Sequence, residues 1–109
     1  MKRRSFVAAA ILLLFFVSPL LAEKWTKQYI QSLQDAAFAA IEFTKDGKKI
    51  RHLPHHNQEG EVDINHLKSA LSRVHQVKWI DPANFAKAKG HLEQHYREYK
   101  LKKVKSDGG

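Results

Sequence analysis

Histidine is the residue type through which this chain is best equipped to do chemistry. Seven of its 109 residues are His, and all seven lie after residue 51: His52, His55, His56, His66, His75, His91 and His95. His91 and His95 are four apart, so a helix carries them on one face. Two imidazoles one turn apart form a chelating pair, and imidazole nitrogen suits Zn²⁺ or Cu²⁺. His55 and His56 add one or two ligands if their loop folds against that helix. His55, His56, His91 and His95 are therefore the candidate metal ligands. The competing account is a set of ordinary hydrogen-bonded histidines. Glu93 lies between the pair in HLEQH, and the HExxH arrangement of a metallohydrolase is absent. Imidazole also titrates near neutrality, so a pH-sensing role stays open, though nothing makes it specific.

Other catalytic chemistry finds no support. There is no Cys, which removes thiolate nucleophiles and disulfides together. Ser32, Ser69, Ser72 and Ser106 stand outside any nucleophile-elbow context. Glu59 and Glu61 read as solvated loop residues. Gly60 and Gly90 are isolated, so no phosphate-cradling loop forms. The expectation is a protein that is not an enzyme and carries no organic cofactor.

These side chains must be positioned by few elements. Trp25, Tyr29, Ile30 and Leu33 recur at helical spacing, predicting a short helix over 24–33. FAAIEF, Phe38 to Phe43, is short and apolar and reads as a buried strand; a helix over 36–43 is its rival, since Ala is a strong helix former. Asp46-Gly47 is a favoured hairpin pair. Lys49 to Leu53 then returns as the second strand, stopped by Pro54, which donates nothing to a ladder. After a polar loop over 57–61, Asp63 is a suitable N-cap. Ile64, Leu67, Leu71 and Val74 then mark a helix to about Gln76. Val77 to Ile80 is an extended connector. Asp81-Pro82 opens the last helix, Asp as cap and Pro at the first position. Phe85, Ala88, Leu92, Tyr96 and Tyr99 line one face of it to about Leu101. The fold class is mainly α (α+β): a short helix, a small hairpin, then two amphipathic helices. The expected core is Trp25, Ile41, Leu53, Leu67, Leu71, Val74, Trp79, Phe85, Leu92 and Tyr96.

The start of the chain has a separate task. Lys2, Arg3 and Arg4 precede the apolar run Phe6 to Val17, and Leu20-Leu21-Ala22 ends on a small residue. That is the layout of a cleavable secretory signal peptide over 1–22. An uncleaved anchor is the alternative, although the run is short of the ~20 apolar residues of a spanning helix. Cleavage leaves a basic helical domain over 23–105 and a disordered tail over 106–109. The whole chain holds 19 Lys+Arg and 11 Asp+Glu; three of the bases are in the signal, leaving 16 against 11, a net +5. So small a domain is marginally stable, and it meets an oxidising compartment without disulfides.

The stretch from Arg51 to Leu101 carries a pattern: RHLPHHN, a Gly-containing loop, VDINHLKSALSRV, then IDPANFAKAKGHLEQHYREYKL. It resembles a small helical module of unknown function in tailed-phage proteins, often appended to prohead proteases. WTKQYIQSLQDAAFAAIE resembles the segment that precedes this module, so the likeness spans Trp25 to Leu101. Its most specific pieces are Leu53-Pro54-His55-His56 and His91-Leu92 with His95-Tyr96-Arg97-Glu98. The resemblance implies that the two histidine-bearing segments belong to one module and pack together, as a polar cluster or a metal site. It carries over no catalytic residue, because the protease domain is absent, and a signal peptide stands in its place.

The first expectation is thus a small exported domain, periplasmic or extracellular, with an interaction or structural role. Its partner would be another protein or an anionic surface, with a membrane involved only if the signal stays uncleaved. The second is a metal-binding protein using His55, His56, His91 and His95. The third is a binder of nucleic acid or another anionic polymer through Arg73, Lys78, Lys87 and Lys89; export disfavours nucleic acid.

Overall fold

The structure is a computed structural model that describes residues 24–108. The signal segment expected over 1–22 lies outside the described residues. Helix α1 is Lys27–Ser32, shorter than the spacing implied. The reason is Thr26: its hydroxyl accepts from Tyr29 N–H at 3.0 Å, which makes it the N-cap and leaves Lys24 and Trp25 outside the helix. A 3₁₀ turn over Asp35–Ala37 leads into strand β1, Phe38–Phe43, which pairs antiparallel with β2, Lys49–Pro54. The register sets Ala40 opposite His52 and Glu42 opposite Ile50. The helical alternative for 36–43 is thereby overturned: the six-residue run is too short to fill a helix face and is held by its partner strand.

Two details of the hairpin differ from expectation. Gly47 N–H donates to Thr44 C=O and Thr44 N–H to Lys48 C=O, both at 2.9 Å. Gly47 has φ +85° while Asp46 stays at negative φ, so the loop is a three-residue turn closed by a left-handed glycine, not a two-residue Asp-Gly turn. And β2 does not stop before Pro54. Pro54 ends the strand from within, opposite Phe38, at an edge where its missing N–H costs nothing.

Helix α2, Ile64–Arg73, begins where Asp63 accepts from His66 N–H at 3.0 Å. Helix α3, Ala83–Gly108, begins where Asp81 accepts from Ala83 N–H at 2.9 Å. It runs past Leu101, through the segment expected to fray. Leu67, Ala70 and Val74 of α2 and its cap interlock with Ala88 and Leu92 of α3, all essentially buried, over Ala39, Ala40 and Leu53 of the hairpin. A second cluster, Leu33, Ala37 and Phe38, packs against Trp25, Tyr29, Ile30 and Ile41. The two tryptophans are half-buried rather than central, because the closest packing is reserved for small residues where α2, α3 and the sheet meet. Among the described residues no helix is long and apolar enough to cross a membrane.

Two polar contacts fasten the elements. The Arg51 guanidinium donates to the carbonyls of Leu33, Ile30 and Gln31 at 2.7, 3.2 and 3.3 Å, capping the C-terminal end of α1. The Glu42 carboxylate, 4% exposed, accepts from Ile80 N–H, Asp81 N–H and Asn84 at 2.9–3.0 Å. It therefore sits as an anion at the start of α3 and fixes that helix to β1.

Candidate functional site

The loop after β2 is folded by its own backbone. His55 N–H and His56 N–H both donate to Ala37 C=O, at 2.9 and 3.3 Å, and Asp63 N–H donates to His55 C=O at 2.9 Å. Asn57 Oδ1 accepts from Glu59 N–H and Glu61 N–H, and Gly60 takes φ +84° to complete the turn. His56 and Val62 form an isolated bridge. The loop is also tied to α1: Gln58 N–H donates to the Tyr29 hydroxyl at 3.1 Å, and the Gln58 amide to Ser32 Oγ at 2.7 Å. Across from it, α3 buries Leu92, and His91 and His95 flank that buried stripe.

The result is one cluster. Each of His55, His56, His91 and His95 contributes a ligand-type nitrogen, and these atoms all lie within 4.8 Å of one another. Ring centres are separated by 4.4 Å for His55–His56, 4.5 Å for His91–His95, 5.0 Å for His56–His95, 5.2 Å for His55–His91, 5.3 Å for His55–His95 and 6.5 Å for His56–His91. Four imidazoles on one ion, at metal–nitrogen distances of ~2.0–2.1 Å, would hold their ring centres about 5 Å apart.

Hydrogen bonds on the far side of the rings decide which nitrogen is left over. His55 Nδ1 donates to Leu53 C=O at 3.0 Å, and His56 Nδ1 to Gly60 C=O at 3.0 Å. His95 Nδ1 faces the Glu98 carboxylate at 3.4 Å. In His55 and His56 a carbonyl acceptor fixes the Nδ1–H tautomer and leaves a lone pair on Nε2, which is how metal-ligating histidines are held, and the Glu98 carboxylate favours the same tautomer at His95. The Nε2 atoms of His91 and His95 lie 3.1 Å apart. His55 has no solvent exposure, and its Nε2 has no hydrogen-bond partner. A buried polar nitrogen without a partner costs about 1–3 kcal/mol. Burial lowers the His55 pKa to about 4, against a smaller opposing effect of the Leu53 carbonyl, so the ring is neutral at pH 7. Burial, and then the charge of His95, lowers that of His91 as well.

The other three histidines are elsewhere. His52 donates to Glu42 at 2.9 Å. His66 bonds to the Asp63 carboxylate and stacks on Trp25, with ring centres 3.5 Å apart and planes 9° from parallel. His75 meets Phe85 edge-on at 5.1 Å. Of the four bases in the polyanion expectation, Lys89 is 2.7 Å from Glu93 and Arg73 borders a groove beside α1. The roles of Leu53, Gly60 and Glu98 as oxygen partners of the imidazoles, and of Glu42 as a buried anchor, have no counterpart among the sequence expectations. The i, i+3 spacing of His95 and Glu98 was the one available signal. No family, curated protein or solved structure matches the chain.

Proposed function

We propose that the protein binds one divalent transition-metal ion, Zn²⁺ or Cu²⁺, through His55, His56, His91 and His95, and that it does so outside the cytoplasm. The observation that carries this reading is the buried, partnerless Nε2 of His55 among three other imidazoles. An ordinary polar cluster would satisfy that atom. A cation coordinated by it removes the cost and also takes up the neighbouring lone pairs. Four neutral nitrogens and no carboxylate ligand favour Zn²⁺ or Cu²⁺ over Ca²⁺ or Mg²⁺, which want oxygen. The charged and apolar start of the chain supports export, and the absence of Cys leaves the imidazoles as the main soft-metal donors.

The test is titration of metal-stripped protein, made without a His tag, with ZnCl₂ and with CuCl₂, followed by calorimetry and thermal melting. One ion per chain is expected. At a free metal concentration 100 times Kd the fold gains about 2.7 kcal/mol. For a domain of this size that raises Tm by roughly 10–20 °C. MgCl₂ should do nothing. No heat and an unchanged Tm with both ions would sink the proposal.

A further inference from the structure

A groove of about 500 Å³ opens between the chain leading into α1 and one face of α2, and none of the four clustered histidines lines it. Its volume is in the range of small-molecule sites. Leu53 and Pro54 border it from the end of β2, Trp25 and Ile30 from the α1 side, and Ala70 from α2. Those groups supply an apolar lining. Three cationic or ionisable bases also reach it: Lys24, His66 and Arg73. Lys24 and Arg73 are exposed, and among the described residues they form no ion pair and no Asp or Glu lines the groove. The nearby acid, Asp63, is occupied: it caps α2 and holds His66 Nδ1. Asn65 and Ser69 add neutral hydrogen-bonding groups on the α2 side.

Two further features show that this is a shaped site. Trp25 lies flat on His66, so one wall is a stacked pair of fixed orientation. Leu53 has φ +61°, the one non-glycine residue at positive φ among the described residues. Such backbone costs of order 1–3 kcal/mol and collects at ligand sites, where the surroundings hold it in place.

We propose that this groove binds a small amphipathic monoanion, an apolar stem bearing one carboxylate. The stem lies against Trp25, Ile30, Leu53 and Pro54. The carboxylate pairs with Arg73 and Lys24, the guanidinium offering two parallel donors. This site is separate from the imidazole cluster and does not depend on metal.

Octanoate is a suitable probe, with octylammonium as its charge-reversed counterpart. Trp79→Phe leaves Trp25 as the sole indole, and its fluorescence reports the groove. Octanoate at low ionic strength should give a saturable one-site change, and octylammonium none. Lys24→Gln with Arg73→Gln should weaken octanoate at least tenfold. Ser69→Phe, which fills the groove from α2, should abolish binding while the response to Zn²⁺ is kept. His91→Ala should leave octanoate binding unchanged. The proposal is overturned if octanoate gives no saturable change, if octylammonium binds equally well, or if the double Gln variant binds octanoate as the parent does.

Discussion

The main-chain carbonyl of Leu53 accepts the Nδ1 proton of His55 across 3.0 Å. Residues two apart in an extended strand do not ordinarily meet this way. The contact spans only Pro54, whose ring fixes its φ at about −65° and so restricts how the Leu53 carbonyl and the His55 ring can lie relative to each other. The fold thus accepts a partnerless nitrogen at His55, which is destabilising on its own. The Leu53 bond keeps the proton on Nδ1 and leaves the His55 Nε2 lone pair among His56, His91 and His95. A structural polar residue would have been satisfied at lower free energy.

That cost is measurable. His55→Leu replaces the ring by an apolar group of comparable size and removes the orphaned nitrogen. Without metal, the variant is expected to be as stable as the parent or up to about 2 kcal/mol more stable. It should also lose the rise in Tm with Zn²⁺. Denaturant melts with and without ZnCl₂ check both. A variant destabilised by several kcal/mol in the absence of metal would mean that His55 is a packing residue whose ring the core needs.

Glu98 should act through His95 rather than on the ion. Its carboxylate is 3.4 Å from His95 Nδ1 and half-exposed. Removal of such outer partners typically costs 10–100-fold in affinity. A long and solvated contact belongs at or below the low end. Glu98→Gln is expected to weaken Zn²⁺ about three- to tenfold and leave the metal-free Tm unchanged. Competition with a chromophoric chelator measures the first, thermal melting the second.

The site was legible in the sequence where geometry is local. His91 and His95 follow from the helical period, and Asp63 and Asp81 from cap chemistry. The placement of His55 and His56 was not, because it depends on hydrogen bonds to Ala37, eighteen and nineteen residues earlier in the chain. Glu42 was hidden for the same reason. Within FAAIEF it looks like an interruption of an apolar strand, and its partners Ile80, Asp81 and Asn84 are about forty residues away. Trp25 and Trp79 were expected in the core on hydrophobicity alone. Small residues won that position, since Ala70 and Ala88 let α2, α3 and the sheet approach closely.

Trp79 illustrates the consequence. A fully buried aromatic truncated to Ala costs about 3–5 kcal/mol. Trp79 is half-buried; its indole N–H donates to Val74 C=O at 3.2 Å and its ring tilts over His52 at 4.8 Å. Trp79→Ala is therefore expected to cost less, about 2–3 kcal/mol. Urea melts provide the check, and a loss above 5 kcal/mol would show that the connector is more central than its exposure indicates.

The acid limit of the fold should be set largely by Glu42. Burial pushes its carboxyl up, but Ile80 N–H, Asn84, Asp81 N–H and His52 outweigh this and hold the pKa at about 2, against an ordinary 4.5. Because the folded pKa is the lower one, the unfolded chain takes up this proton first as pH falls. The stabilisation is whole above about pH 4.5 and is lost between there and about pH 2. With the group buried, the loss is on the order of 3 kcal/mol. Glu42→Gln keeps the shape but removes the charge and turns an amide N–H toward donors at the start of α3, so it should cost about 2–4 kcal/mol at pH 7. Asp35, Asp46 and Glu93 also have lowered pKa values, chiefly through Lys49, Thr44 and Lys89 respectively, and they remain in both proteins. The diagnostic quantity is therefore the stability difference between parent and Glu42→Gln, measured by urea melts from pH 7 to pH 2.5. It should be constant above pH 5 and shrink below 4.5. A difference that stays the same across the range would place the lost stability in the shape of the contact and not in the charge of Glu42.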